Sequence, residues 1–190
     1  MALVLTSAPA QEPVTVSEAK AHLRVDGEAE DALIASLILT SRLHIESALG
    51  LALITQSWRV TYDRWPEAPQ IELPLHPLQS VDEVRVIDPA GDATVVSASQ
   101  YLVDIASQPP RLIRRTAIAV PGQPARGIEI DFTAGFGDDP DDVPAPIRQA
   151  LLLLVAHWYE HRDPIEVGAA DTAVPAAVSQ LLLPYRIARL

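Results

Sequence analysis

The 190-residue sequence contains no cysteine, and lysine occurs only once, at Lys20, so arginine supplies nearly all of the 14 basic side chains. Without cysteine the chain has no disulfide framework and no thiolate chemistry. The 14 basic residues face 25 acidic ones, which gives a net charge of −11 with histidine neutral. Because a dedicated nucleic-acid-binding protein needs lysine and arginine to neutralise phosphates, this charge argues against that class.

The sequence also lacks a long apolar run. The longest stretch without a charged residue, 172–185, is interrupted by Pro175 and Pro184, and a membrane-spanning helix needs about 20 apolar residues. The first five residues have no basic segment and too short an apolar run for a signal peptide. We therefore expect a soluble protein made inside the cell, with no membrane partner.

Two helices are predicted near the start of the chain. Residues 1–13 read as an extended arm, after which Thr15 and Glu18 have the spacing of a capping box for a short helix that ends near residue 23. A longer helix is predicted over residues 28–49, with Gly50 as its left-handed stop.

The best-defined helix is predicted over residues 146–162, with Pro146 in its first turn and Pro164 beyond its end. Residues 150–156 are apolar on every side, which indicates a helix buried on more than one face. A last short helix is predicted over residues 176–183. These features indicate a helical core of about four helices with the helix of residues 146–162 at its centre.

Between the second and third helices the periodicity changes from helical to alternating, which is typical of strands with one buried face. The alternating apolar residues are Trp58, Val60, Tyr62, Ile71, Leu73, Leu75, Ile128, Ile130 and Phe132. Because helices and strands occupy separate parts of the chain, the predicted class is α+β, with a large antiparallel β insertion in the helical core. The predicted regions are 1–50, with the arm and two helices, the β-rich insertion 51–135, and the helices of 136–190.

One motif has the spacing of a metal site. His157, Glu160 and His161 match H-x-x-E-H, in which two histidines one turn apart hold Zn²⁺ and the glutamate acts as a general base. The motif lies at a helix end, and only Glu166 and Asp171 follow it as possible third ligands. We interpret it as a polar helix end, with no metal and no cofactor, and keep a zinc-dependent hydrolase as an alternative.

Two charged segments have simple explanations. The acidic residues after Gly137 lack the spacing of a calcium loop and fit a solvated loop placed before a helix N-terminus; they are Asp138, Asp139, Asp141 and Asp142. The basic segment fits either contact with an acidic partner or nucleic acid, or a solvated hairpin; it contains Arg111, Arg114, Arg115 and Arg126. The sequence contains no catalytic constellation, so we expect a protein that is not an enzyme.

Four segments carry a resemblance to a known family. Residues 14–25 (VTVSEAKAHLRV) and the long helix that ends at Gly50 resemble the head–tail connector, or adaptor, proteins of tailed phages and of gene transfer agents. The helix from Ile147 to Arg162 is similar to that family's third conserved segment. Residues 181–186 (LLLPYR) resemble the family's ending, so the resemblance covers about half of the chain.

The resemblance implies a structural role at the head–tail interface of a virion or phage-like particle assembled in the host cytoplasm. Members of the family form a ring, usually a dodecamer, between the portal and a stopper or tail-completion protein, and DNA passes through the channel without specific binding. We expect the C-terminal segment to dock on the portal through Leu183, Tyr185, Arg186, Arg189 and Leu190. A second alternative is a stand-alone module that binds its partner through the β-rich insertion.

Overall fold

The computed structural model describes residues 1–161 and 174–186. The chain forms two compact units, a β-rich unit of Met1–Ala10 and Gly50–Phe136, and a helical unit of Gln11–Leu49 and Gly137–Leu190. Four α-helices lie within the described ranges, and a β-rich region separates the second from the third. The α+β class is therefore confirmed.

The helical unit begins with α1, Val16–Leu23, and its predicted capping box is present. The backbone N–H of Glu18 donates to the Thr15 hydroxyl at 3.1 Å, and the Thr15 N–H donates to the Glu18 carboxylate at 2.8 Å. These bonds satisfy donors that a helix N-terminus otherwise leaves without partners. Arg24 ends the helix in the left-handed conformation, with φ of 58°.

Helix α2, Asp31–Leu49, starts three residues later than the sequence predicts and ends before Gly50, which has φ of +67° as expected for a left-handed stop. Its buried apolar residues are Ile34, Ile38, Ile45 and Leu49. By length and composition alone α2 is apolar enough to cross a membrane. Core helices of soluble proteins meet the same test, and α2 packs against α1 and α3 in the helical unit.

Helix α3, Ala145–Glu160, follows Pro144 and packs against α1, α2 and α4. Its buried residues are Ile147, Ala150, Leu151, Leu154 and Val155, and none of residues 150–156 is fully exposed. The fully buried residues form one stripe at helical spacing, and Leu152, Leu153 and Ala156 are half-buried, so α3 is fully buried on one side rather than all round as its composition predicts. Helix α4, Ala176–Leu182, continues into a 3-10 turn, Leu183–Tyr185.

The β-rich unit contains two antiparallel sheets, one of five strands in the order β1-β2-β8-β4-β5 and one of three strands in the order β3-β7-β6. The strands are β1 Ala2–Ser7, β2 Gln56–Tyr62, β3 Gln70–Glu72, β4 Leu78–Ile87, β5 Ala93–Val95, β6 Tyr101–Asp104, β7 Arg111–Arg114 and β8 Ile128–Ala134. As the prolines near it predict, β3 lies at a sheet edge.

The core of the β-rich unit follows the alternation that the sequence shows. In β8 the residues Ile128, Ile130 and Phe132 are fully buried, while Glu129 and Asp131 point to the other face of the sheet. Successive side chains of a strand point to opposite faces, so every second residue of β8 enters the core.

The first residues differ from the expected arm. Residues 1–7 are extended, but β1 is an edge strand of the five-stranded sheet, paired with β2 from Ala2 opposite Thr61 to Ser7 opposite Ser57. Met1–Ala10 therefore belongs to the β-rich unit, whereas the sequence groups it with the helices. Alternation within so short a segment does not indicate which strand it pairs with.

Candidate interaction surfaces

The predicted docking segment begins on a well-anchored helix. In α4 the side chains of Val178 and Leu182 are buried in the helical unit. Just beyond them Leu183 is 63% exposed, Tyr185 is half-buried and Arg186 is exposed. The other two predicted residues, Arg189 and Leu190, lie outside the described residues. The described part of the segment thus presents an apolar and a basic side chain directly after an anchored helix.

The histidines of the H-x-x-E-H motif lie beside each other at the end of α3. The ring centroids of His157 and His161 are 4.6 Å apart, and Nδ1 of His161 lies 2.8 Å from the His157 carbonyl oxygen. Within the described ranges no group of three or more His, Asp or Glu side chains is arranged to hold a metal ion. The possible third ligands, Glu166 and Asp171, lie outside those ranges.

The residues between these histidines make contacts inside the helical unit. The Tyr159 hydroxyl donates a hydrogen bond to the Glu30 carboxylate. The Trp158 ring meets the His44 ring edge-on, with centroids 5.7 Å apart. The end of α3 is therefore held to the helical unit by an aromatic contact and a polar one, which accounts for these residues without a ligand.

The acidic loop that follows Gly137 is tied down by hydrogen bonds. The Asp142 carboxylate accepts from the Asp139 backbone N–H at 3.0 Å, and Asp141 accepts from Arg148 at 2.6 Å. The amide of Gln11 donates to the Asp138 carbonyl oxygen at 2.8 Å. These contacts agree with the interpretation as a solvated loop before a helix.

The basic segment divides into residues with and without partners. Arg111 donates to Asp104 at 3.0 Å, and this hydrogen bond is the main reason that the pKa of Asp104 is lowered. Arg114 donates to the carbonyl oxygens of Pro66 and Ala68 and lies 5.6 Å from the Trp65 ring centroid. Such contacts hold these two arginines against the chain, and the Arg111 side chain is still 38% exposed.

The remaining residues of the basic segment, Arg115 and Arg126, are exposed, and neither makes an ion pair with a described residue. They lie near the two ends of the loop that joins β7 to β8. Two arginines of the segment hold the hairpin and two are exposed. Contact with an acidic partner or nucleic acid, and a solvated hairpin, therefore both stay predictions.

A charge network that the sequence analysis does not predict covers the outer face of the five-stranded sheet. Asp131 accepts from Arg59 at 2.6 and 3.0 Å and from Arg85 at 2.5 Å. Glu129 lies 3.5 Å from Arg59 and 3.2 Å from Arg85. Burial would raise the pKa of Asp131, but the hydrogen bond from Arg59 and the charge of Arg85 outweigh it, so the pKa is lowered.

A second group of charges lies inside the helical unit. Arg42 is 6% exposed, and its guanidinium donates to Glu12 at 2.7 Å and to Glu46 at 2.8 Å. Arg148 similarly joins Glu18 at 2.5 Å to the acidic loop. Two of these ion pairs connect distant segments, Arg42 with Glu12 across 30 positions and Arg148 with Glu18 across 130, so they have a structural role.

The chain is a helical unit interrupted by a β-rich unit. Charged groups in both units pair with one another, and an apolar and a basic side chain are exposed after α4. These features are those of a structural protein that binds a partner. Comparison of the chain with known proteins supports a structural role. Residues 13–105 match the family model of phage gp6-like head–tail connector proteins. No curated protein matches the chain significantly.

Solved structures match along the whole chain. A chain in the virion of a native gene transfer agent particle is 32% identical with a TM-score of 0.85, and one in the neck of an empty particle, computed with C6 symmetry, is 30% identical with a TM-score of 0.84. A chain in the neck of a native particle, computed with C12 symmetry, is 29% identical with a TM-score of 0.78. Each match covers 100% of this chain and 97% of the other.

The chain belongs to the phage head–tail connector family. It is a structural protein and not an enzyme, so the zinc-dependent hydrolase does not describe its function. The matches also extend over the β-rich unit, which is therefore part of the architecture that the chain shares with these particles.

Proposed function

We propose that the protein forms a ring between the portal and a stopper or tail-completion protein of a gene transfer agent or phage-like particle, around the channel that DNA passes through. The observation that carries this proposal is the match of the whole chain to chains in particle necks computed with C6 and C12 symmetry. Cyclic symmetry places identical subunits around one axis. The protein's location is accordingly the head–tail interface.

The charge of the chain supports a channel that DNA crosses without binding. The helical unit has seven basic and 15 acidic residues, a net charge of −8, and the β-rich unit has seven and ten, a net charge of −3. A wall of negative charge repels the phosphate backbone, whereas tight binding would require clustered lysine and arginine. Passage without adhesion is what a conduit for DNA needs.

The C-terminal segment supports the portal contact. Residues 174–190 contain Arg186 and Arg189 and no acidic residue, although the chain as a whole is strongly acidic. Leu183, three positions before Arg186 in the sequence, adds an exposed apolar side chain. An apolar anchor with neighbouring arginines is a frequent composition at binding interfaces. We propose Leu183, Tyr185, Arg186, Arg189 and Leu190 as the portal-binding residues.

The test is a truncated chain that ends at Leu182. Because Val178 and Leu182 remain, the buried side of α4 is intact and we expect the melting temperature to stay within a few degrees of the full-length value. Tagged full-length and truncated chains are purified from particle-producing cells, and the recovered portal protein is quantified by mass spectrometry. We expect recovery with the full-length chain and loss with the truncated one. Equal recovery with both would show that the portal contact lies elsewhere.

A further inference from the structure

The outer face of α2 has an unusual composition. Nine of its 19 residues are exposed, and none of these nine, all within the described part of the chain, is Asp, Glu, Lys or Arg. They are Ala32, Ala35, Ser36, Leu39, Thr40, Leu43, His44, Ser47 and Ala48. Leu39 and Leu43, one turn apart, are 41% and 51% exposed. A soluble helix normally directs its charged residues to this side.

Two of the three charged residues of α2 point the other way, and the third, Asp31 in the first turn, pairs with Lys20 while its side chain is 41% exposed. Arg42 and Glu46 are 6% and 7% exposed and form an ion pair at 2.8 Å, and Arg42 also binds Glu12. Burying charged groups is costly unless they are paired, so this arrangement lowers stability compared with placing them in water. The helix therefore has charges where a core is expected and small or apolar side chains where solvent is expected.

We propose that the outer face of α2, centred on Leu39 and Leu43, is a contact between neighbouring copies of this chain in the ring. The proposal rests on the ring of the proposed function. Interface centres are depleted of charge relative to the rest of a protein surface. An exposed apolar patch on a soluble protein commonly marks an interaction site.

The charge of the chain identifies a second copy as the occupant. Each copy carries −11, so neighbouring subunits repel each other wherever their acidic surfaces approach. A face free of ionised side chains is where like-charged copies can meet at the lowest electrostatic cost. The acidic residues of the helical unit cluster elsewhere, in the loops before α2 and α3, at Asp26, Glu28, Asp138, Asp139, Asp141 and Asp142.

A ring interface joins two different surfaces of the subunit, because head-to-tail contacts generate closed rings. The α2 face of one copy therefore meets another surface of the next, and cross-linking at Leu43 reports what lies there. We would incorporate a photoreactive benzophenone amino acid at position 43 in particle-producing cells, irradiate purified particles and identify the products by mass spectrometry. Position 120, where Val120 is 84% exposed on the β-rich unit, provides the matched control.

The expected product at position 43 is a cross-link between two copies of this chain. Cross-links from position 43 only to a portal, stopper or other particle protein would overturn the α2 proposal and leave the adaptor function standing. The α2 proposal would also be overturned if the chain substituted at position 43 were present in the particle and formed no cross-link between copies. Absence of both substituted chains from intact particles that assemble alongside them would instead overturn the adaptor function, and with it the ring contact.

A second experiment uses charge. The double variant Leu39→Glu/Leu43→Glu adds two negative charges to the proposed contact, and we expect roughly a tenfold or greater loss of assembled chain per particle. Because both side chains are already exposed, the isolated variant should melt within a few degrees of the natural chain. Val120→Glu is the matched control and should assemble normally. Normal assembly of the double variant would overturn the proposal.

Discussion

The network around Asp131 gives a prediction whose size and pH dependence follow from its geometry. Asp131→Asn keeps the shape of the side chain and removes its charge. The two arginines that donate to Asp131, Arg59 and Arg85, also lie within 3.5 Å of Glu129, so the substitution leaves both with a carboxylate. The substitution therefore weakens the charge network, and both arginines keep a carboxylate partner.

The expected cost is about 1–2 kcal/mol of unfolding free energy at neutral pH. Exposed ion pairs contribute about 0.2–1 kcal/mol each, and bidentate arginine–carboxylate pairs are among the stronger ones. The side chains of Arg85 and Asp131 are 18% and 21% exposed, which reduces solvent screening relative to a fully exposed pair. Glu129 stays in place and keeps the cost below that of a buried pair that loses one partner.

The pH dependence has a defined sign. The pKa of Asp131 is lowered from its ordinary value of 3.8 in the folded protein. Its contribution is therefore complete above the unfolded pKa and is lost as the pH falls through the lower folded pKa. The stability difference between the natural chain and Asp131→Asn should be largest near neutral pH and should shrink below about pH 4.

Urea unfolding followed by fluorescence, at several pH values, measures this difference. Asp92→Asn is the control, because Asp92 lies exposed in the turn before β5, and we expect it to change the free energy by less than about 0.5 kcal/mol. A stability difference for Asp131→Asn that is the same at neutral and acidic pH would refute the reasoning. So would a cost at neutral pH no larger than that of the control.

Three further substitutions test local features by the same unfolding assay. Thr15→Ala removes the acceptor of the capping box and should cost about 1 kcal/mol; a neutral effect would mean that the cap is not stabilising. Arg42→Met removes the buried cation that pairs with the carboxylates of Glu12 and Glu46 and should cost about 3 kcal/mol; a gain in stability would contradict this. Gly135→Ala places a Cβ 2.6 Å from the Thr55 nitrogen at a φ of +144°, so we expect a loss of about 2 kcal/mol or more, and an unchanged midpoint would count against it.

Much of the local structure could be predicted because its causes lie within a few residues. The capping box needs only Thr15 and Glu18, three positions apart. The start of α3 needs the neighbouring prolines, and the buried face of β8 needs only alternation. The resemblance to head–tail connectors depended on the same kind of signal, amphipathic segments in a fixed order, and the comparisons confirm it.

The candidate surfaces were less predictable. The C-terminal segment is visible in the sequence as a run with arginines and no acid, and its portal contact stays a prediction. The outer face of α2 was not predicted, because the apolar stripe of a helix is normally assigned to its core. Only the fold shows that Arg42 and Glu46 lie on the buried side while Leu39 and Leu43 face outward.

The sequence by itself determined the type and order of the helices and of the strands between α2 and α3, the acidic charge of the chain and the family to which it belongs. The tertiary structure decided which distant segments meet: β1 joins the sheet through β2, and Arg59 meets Asp131 across 72 positions. The physical reason is that hydrophobic periodicity acts over a few residues, whereas strand pairing and ion-pair partners depend on how separate segments pack.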